Sequence, residues 1–351
     1  MRHLVTLRDY ATSDITALVR RSLELKRIVL SGVPRREAAA AHALPSFEGR
    51  TLGMVFSKRS TRTRVSSESG WAFYGGHPMF LGKDDIQLGV NESVRDTAQV
   101  VGSMVDMLLA RVGPHQHIEE FARHSRVPVI NALSDRYHPL QILADLMTLY
   151  ETFAPEASAK IAVGDAAARE VPMPSLSGLR VAWVGDANNI LNSMLVTYPR
   201  LGIDLSVACP RGYQIDESAW RFAQDHSRGV GAARGTTYGQ VQRSSDPREA
   251  VSGADVIVTD TWISMGQEHE KVQRMHDFAG FQVTESLARE GGAKPGWKFM
   301  HCLPRKAEEV SDEVFYNPER SVVFQEAENR KYAVMSVFEF LMRHSTKSRS
   351  A

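Results

Sequence analysis

The stretch TLGMVFSKRSTRTRV, Thr51 to Val65, changes character halfway along. Its first six residues are apolar and suit a strand. The remainder sets four basic residues among four Ser and Thr hydroxyls between Phe56 and Val65, just before a segment that reads as a helix starting near Thr61. Parallel strands need a crossover connection, which a helix usually supplies, so a strand passing through a polar loop into a helix is the repeating unit of a parallel α/β sheet. The loop also exposes free backbone N–H groups at the positive end of the helix dipole, which suits an anion.

Working outward, the same alternation recurs. VDMLLARV (Val105 to Val112) and VPVINAL (Val127 to Leu133) read as further strands, and HPLQILADLMTLYETF, from His138, places Leu140, Leu143, Leu146, Met147 and Leu149 at helical spacing. ASAKIAVGDAAAREVPMPSLSG then breaks the rhythm and marks a domain boundary or an insertion beside it. Alternation restarts with LRVAWVG (Leu179 to Gly185), a helix from about Asn189, and the strand candidates IDLSVACP, ADVIVTDTW, WKFMHCLP and SVVF. A last helix runs from Glu326 to about Met342, and the tail HSTKSRSA reads as frayed. The expected architecture is α/β, with two similar domains, each a central parallel sheet flanked by helices, and an active site in the interdomain cleft at the carboxyl ends of the strands. The expected division is 1–150, joined by the C-terminal helix 326–345, and 151–325.

With 351 residues, 43% of them hydrophobic, the chain can bury two cores, and 42 Lys and Arg against 41 Asp and Glu create no bulk field for nucleic acid or an anionic membrane. The basic loop therefore serves something small and local. Two distant cysteines, Cys209 and Cys302, favour a reducing compartment over a disulfide framework. No apolar run approaches the ~18 residues of a spanning helix, and MRHLVTLRDYATSDI lacks the apolar core of a signal peptide, although a transit peptide removed beforehand would leave no trace.

Individual motifs leave alternatives open. Ser60 or Thr61 either merely caps the helix or joins Thr63 and the bidentate Arg62 in a phosphate cradle; without GxxxxGK this is no Walker loop. Arg111 either emerges at the carboxyl edge of its strand or simply ends it in solvent. His138 and Gln141 share one face of a first helical turn that Pro139 opens. Cys302, beside His301, is a nucleophile, a general base or a small core residue. GDANNI lacks the glycines of a dinucleotide fingerprint, and Asp186 there fixes a turn.

Taken together, GMVFSKRSTRTR, LGVNES (Leu88 to Ser93), HPLQ, GDANNILNS, TDTWISMGQE, HCLPRKAEEVSDEVFY and EAENRKY resemble the aspartate/ornithine transcarbamoylase family, in particular its ornithine branch of eukaryotic type. The resemblance runs from about Thr6 to Met342. It implies a first, carbamoyl-phosphate-binding domain and a second, ornithine-binding domain, and transfer of a carbamoyl group to the δ-amine of L-ornithine, giving L-citrulline and phosphate in arginine biosynthesis. By motif position, Ser60, Thr61, Arg62, Thr63, Arg111, His138, Gln141, Cys302, Leu303 and Arg330 are expected to bind carbamoyl phosphate. Asn189, Asp260, Ser264 and Met265 are expected to bind ornithine. Asp260, Cys302, Arg111 and His138 carry the expected catalytic roles, and the polar segment around Gly266 would close over the site after the donor binds.

The resemblance implies a homotrimer without metal or organic cofactor, acting on small molecules rather than nucleic acid or membrane, in the mitochondrial matrix or alternatively the cytoplasm. An aspartate-specific relative would read HPLP at HCLP; acetylornithine and putrescine acceptors differ mainly in pocket details. A non-catalytic anion-binding protein on the same fold is the reading from another class. The Ala-rich segment 157–175 exceeds the family's usual connection.

Overall fold

The computed structural model of the chain describes residues 1–86, 92–162, 171–227, 237–263 and 268–349, with side chains for all of these except 162, 268 and 346–349. Two compact units emerge, one of Met1–Pro174 with Glu328–Ala351, the other of Ser175–Ala327. The division therefore falls after Pro174 instead of at 150/151. The cause is the helix Pro155–Ala162, which packs on the helices Thr12–Leu30 and Pro139–Phe153 and stays with the first unit.

The first unit is built on a four-stranded parallel sheet of order β2-β1-β3-β4, with β1 Thr51–Phe56, β2 His77–Gly82, β3 Met107–Arg111 and β4 Val129–Leu133. β1 and β3 are buried almost throughout, as continuous apolar runs in a parallel sheet require. Val55, Leu108, Ala110 and Val129 pack with Ile118 and Phe121 of the helix His115–His124. β2 escaped the sequence reading because HPMFLG carries a proline and alternates exposed with half-buried residues. It is the edge strand, where Pro78, opposite Leu52, is tolerated.

The second unit holds a five-stranded parallel sheet of order β7-β6-β5-β8-β9, with β5 Arg180–Val184, β6 Asp204–Ala208, β7 Val241–Ser244, β8 Val256–Thr259 and β9 Lys298–His301. β7, with the sequence VQRS, is again a polar edge strand that periodicity could not reveal. SVVF is not a strand: Ser321 makes one isolated bridge to Phe299, and a helix starts at Val323. That helix runs to Arg349, so the expected frayed tail is helical as far as it is described. Its residues from Glu328 onward belong to the first unit.

Where β5 ends, Gly185 adopts φ 154°, and a Cβ there would lie 3.0 Å from Thr259 Oγ1. Only glycine lets the ends of β5 and β8 come this close. Among the described residues no helix is long and apolar enough to cross a membrane.

Candidate active site

In the first unit the chemistry collects at the carboxyl ends of the strands. Phe56 pairs with Arg111 at the ends of β1 and β3, and the Ser57 N–H donates to the Arg111 carbonyl at 3.0 Å, fixing the start of the basic loop. Ser60 is the N-cap of the helix Thr61–Phe73, its hydroxyl accepting from the Thr63 N–H at 3.3 Å, which leaves its own O–H to donate. Thr61 is exposed and, with Ser60, Phe56, Arg64, Phe80 and Lys83, lines a pocket of about 380 Å³. Arg62 is half-buried and Thr63 fully buried.

Arg330 completes the cluster. Asn329 places it: fully buried, its amide donates to Thr148 Oγ1 at 2.9 Å and Glu151 Oε2 at 2.8 Å, while its carbonyl accepts from Lys26 Nζ at 2.8 Å. Arg330 then donates from Nη1 to Gln141 Oε1 at 2.6 Å and from Nη2 to Thr63 Oγ1 at 3.3 Å. Gln141 in turn donates to Asp145 Oδ1 at 2.8 Å, which orients its amide. His138, buried at the N-terminus of the helix Pro139–Phe153, is held well below the usual histidine range, first by burial and then by Arg330, Arg111 and Arg62. It is a neutral imidazole among three guanidiniums.

The second unit places a different set at the ends of β8 and β9. Asp260 is buried; its Oδ1 accepts from the Cys302 thiol at 2.7 Å and its Oδ2 from the Asn188 amide at 2.7 Å. Burial raises its pKa, opposed by His301, the Cys302 thiol and the Thr261 N–H. Asn188 also caps the helix Asn189–Leu195, its carbonyl accepting from Ile190 N at 3.0 Å and Leu191 N at 3.2 Å. Asn189 is half-buried as the first residue of that helix. Ser264, Met265 and Gly266 lie outside the described residues.

Behind this pair is a buried relay the sequence did not disclose. Glu309, with no exposed surface, accepts from Trp262 N at 3.2 Å and Lys306 N at 2.8 Å and lies 3.1 Å from His301 Nε2. Leu303 N–H donates to His301 Nδ1 at 2.8 Å, so the imidazole carries its proton on Nε2, towards Glu309. Leu303 itself has φ 59°, a left-handed conformation that a branched side chain seldom adopts, directly after Cys302. Glu326, also buried, accepts from His301 N at 3.0 Å. The residues missed were Asn188, Glu309 and Asp145, whose polar side chains read as surface; only their neighbourhood to recognised motifs could have drawn attention to them. Asp260, His301 and Cys302 bring ligand-type atoms within 4.8 Å of one another, but both ring nitrogens of His301 are engaged, so a metal would have to displace those bonds.

Comparison with known proteins matches both units. The profile described as the carbamoyl-P binding domain of aspartate/ornithine carbamoyltransferase covers residues 2–151, and that of its Asp/Orn binding domain covers residues 177–341. Among curated relatives, the mitochondrial ornithine carbamoyltransferase of Aspergillus terreus is 50% identical over 96% of this chain and 88% of its own length. That of Schizosaccharomyces pombe is 46% identical over 97% of this chain and 94% of its own. Among solved structures, the mitochondrial ornithine carbamoyltransferase of Coccidioides immitis superposes with a TM-score of 0.82 at 46% identity, covering 98% of both chains.

Proposed function

The chain belongs to the aspartate/ornithine carbamoyltransferase family, and on that premise we propose that it transfers the carbamoyl group of carbamoyl phosphate to the δ-amine of L-ornithine, giving L-citrulline and phosphate. The observation that carries this reading is the set of donors of the first unit, Arg62, Arg111, Arg330, Thr63 and Gln141, gathered around the neutral His138. Carbamoyl phosphate is a small dianion with one carbonyl. Arg62, with the Ser60 to Thr63 helix start, would bind its phosphate, Arg111 both phosphate and carbonyl, and Arg330 would hold the cradle in place and add charge.

When the amine adds to the carbonyl carbon, negative charge gathers on the carbonyl oxygen. Arg111 and a neutral His138 that donates from its ring are already oriented for it and need no reorganisation. The C–O bond to phosphate then breaks, and phosphate leaves with the electron pair and takes up the remaining proton that the attacking nitrogen must lose. The attacking amine must first lose a proton, since a free alkyl ammonium has a pKa of about 10.4. Asp260 pairs with the incoming ammonium, and burial makes it a stronger base than a solvated carboxylate. The Cys302 thiol is bonded to the same carboxylate; no covalent intermediate is required, because orientation of two bound reactants supplies much of the acceleration. Asn189, Ser264 and Met265 complete the proposed amino-acid site, and Leu303 the donor site.

The names of its relatives support a mitochondrial location for this chain, and family resemblance the matrix and a homotrimer, the last of which light scattering on the purified protein would test. The function is tested by following ureido product with carbamoyl phosphate and L-ornithine, N-acetylornithine, putrescine or L-aspartate in parallel. Turnover with ornithine, lost in Arg62→Ala, is the expected result; turnover with another acceptor alone would reassign the substrate, and none with any would sink the enzymatic reading.

A further inference from the structure

Arg274 makes an unusual number of separate commitments for a residue in a short helix, Lys271–Asp277. It is 7% exposed. Nη1 donates to Asp186 Oδ2 and to the Trp262 carbonyl, both at 2.9 Å, and Nε donates to Glu270 Oε2 at 2.7 Å. Its guanidinium lies 5.0 Å from the centroid of the Tyr213 ring, whose hydroxyl donates to Asp277 at 3.0 Å. Neutralising Asp186 would have needed only the first of these bonds.

Two of the tethered segments lead directly to the acceptor side of the site. The Asp186 carbonyl accepts from Asn188 N at 3.0 Å, and the Asn188 side chain donates to Asp260. Trp262, two residues after Asp260, is held at its N–H by Glu309 and at its carbonyl by Arg274. One planar guanidinium thus joins the turn after β5 to the segment after β8. A lysine ammonium has three donors but only one nitrogen, so it could not keep the Nη1 bonds to Asp186 and Trp262 together with the separate Nε bond to Glu270.

We infer that Arg274 is a positioning residue for the amino-acid acceptor, setting the spacing between the Asp186–Asn189 turn and the Asp260–Trp262 segment without touching the ligand. The inference rests on the reading above that these segments take the acceptor. A misplacement of about 1 Å can cost on the order of 10²-fold in such a site. Arg274→Gln should therefore raise the KM for ornithine on that scale while leaving the KM for carbamoyl phosphate unchanged, and Arg274→Lys should recover part of the loss.

Steady-state kinetics of the full chain, varying each substrate at saturating levels of the other, reads both constants, with thermal denaturation alongside. Asp186→Asn, which keeps the shape of its partner, provides the same split should Arg274→Gln fail to fold. A lowered melting temperature with both KM values unchanged, or an equal rise in both, overturns the inference and leaves the proposed function standing. Absence of citrulline from the unmutated protein overturns the function, and the inference with it.

Discussion

In the first unit three guanidiniums lie near one neutral imidazole, and one of them, Arg330, is tied down by two uncharged groups, Gln141 and Thr63. In the second, the buried carboxylate of Asp260 is held by an amide, a thiol and a backbone N–H, and Glu309 stands behind His301. Arg330 and Asp260 thus each have neutral hydrogen-bonding partners, which orient a charge without themselves cancelling it.

The largest test of this contrast is Asp260→Asn. Removing the base should lower kcat by about 10³-fold, within the range for general acid–base groups, while binding of a phosphate-bearing donor analogue stays intact. The melting temperature at neutral pH should not fall, because the buried charge it removes is one that folding disfavours. Weakened donor binding with a lower melting temperature would show that the halves do not divide the work in this way.

Arg330→Gln addresses the other half. Loss of a charge-assisted contact worth about 1.5–3 kcal/mol corresponds to a rise in donor KM of roughly 10- to 10²-fold, with the ornithine KM unchanged. Thr63→Val, which removes only the acceptor at 3.3 Å, should do the same more weakly. Both are read by the same kinetic series. Glu309→Gln keeps size but offers one carbonyl oxygen to three donors, so kcat should fall by about tenfold, the value of one hydrogen bond of ~1.4 kcal/mol.

The smallest effect is on stability against pH, and here the halves should act with opposite sign. His138 has a folded pKa far below its ordinary 6.5, so below pH 6.5 the unfolded chain binds protons that the folded one refuses, and stability is lost with acid. His3, lowered to about 4 and accepting from Val129 N through Nδ1, adds to that loss between pH 6.5 and 4. Asp260 has a folded pKa above its ordinary 3.8, so acidification through that value relieves a cost. From pH 7 down to about pH 4, melting temperatures should fall less steeply in His138→Gln than in the unmutated chain, and more steeply in Asp260→Asn. Parallel slopes in all three would sink the assignment of opposite signs.

Central strands were legible because burial on both faces writes itself as continuous apolar sequence, as in MLLAR and VIVT. Two of the four edge strands were not, since HPMFLG and VQRS answer to water on one side. SVVF misled for the converse reason: β-branched residues before a helix look like a strand, and only tertiary packing turns Val323 inward at a helix start. Arg111, Asp260 and Cys302 could be picked out at strand ends, and Arg62 and His138 at helix starts, because they stand inside recognisable motifs. Asn188 was hidden beside Asn189, since a capping amide and a ligand-facing amide are the same residue type. Asp186, read as fixing a turn, does so through its carbonyl, but its carboxylate belongs to Arg274, whose partners come from three places in sequence and could not be inferred from any one of them.

The three guanidiniums around His138 come together only in the folded chain. Folding and substrate binding are consequently linked: a donor that binds this cluster binds the native chain alone, and occupancy at 100 times the dissociation constant would add about 2.7 kcal/mol to stability. Such an enzyme lasts longer when it is busy. Its steady-state abundance would track the supply of its own donor with no regulatory site devoted to the purpose.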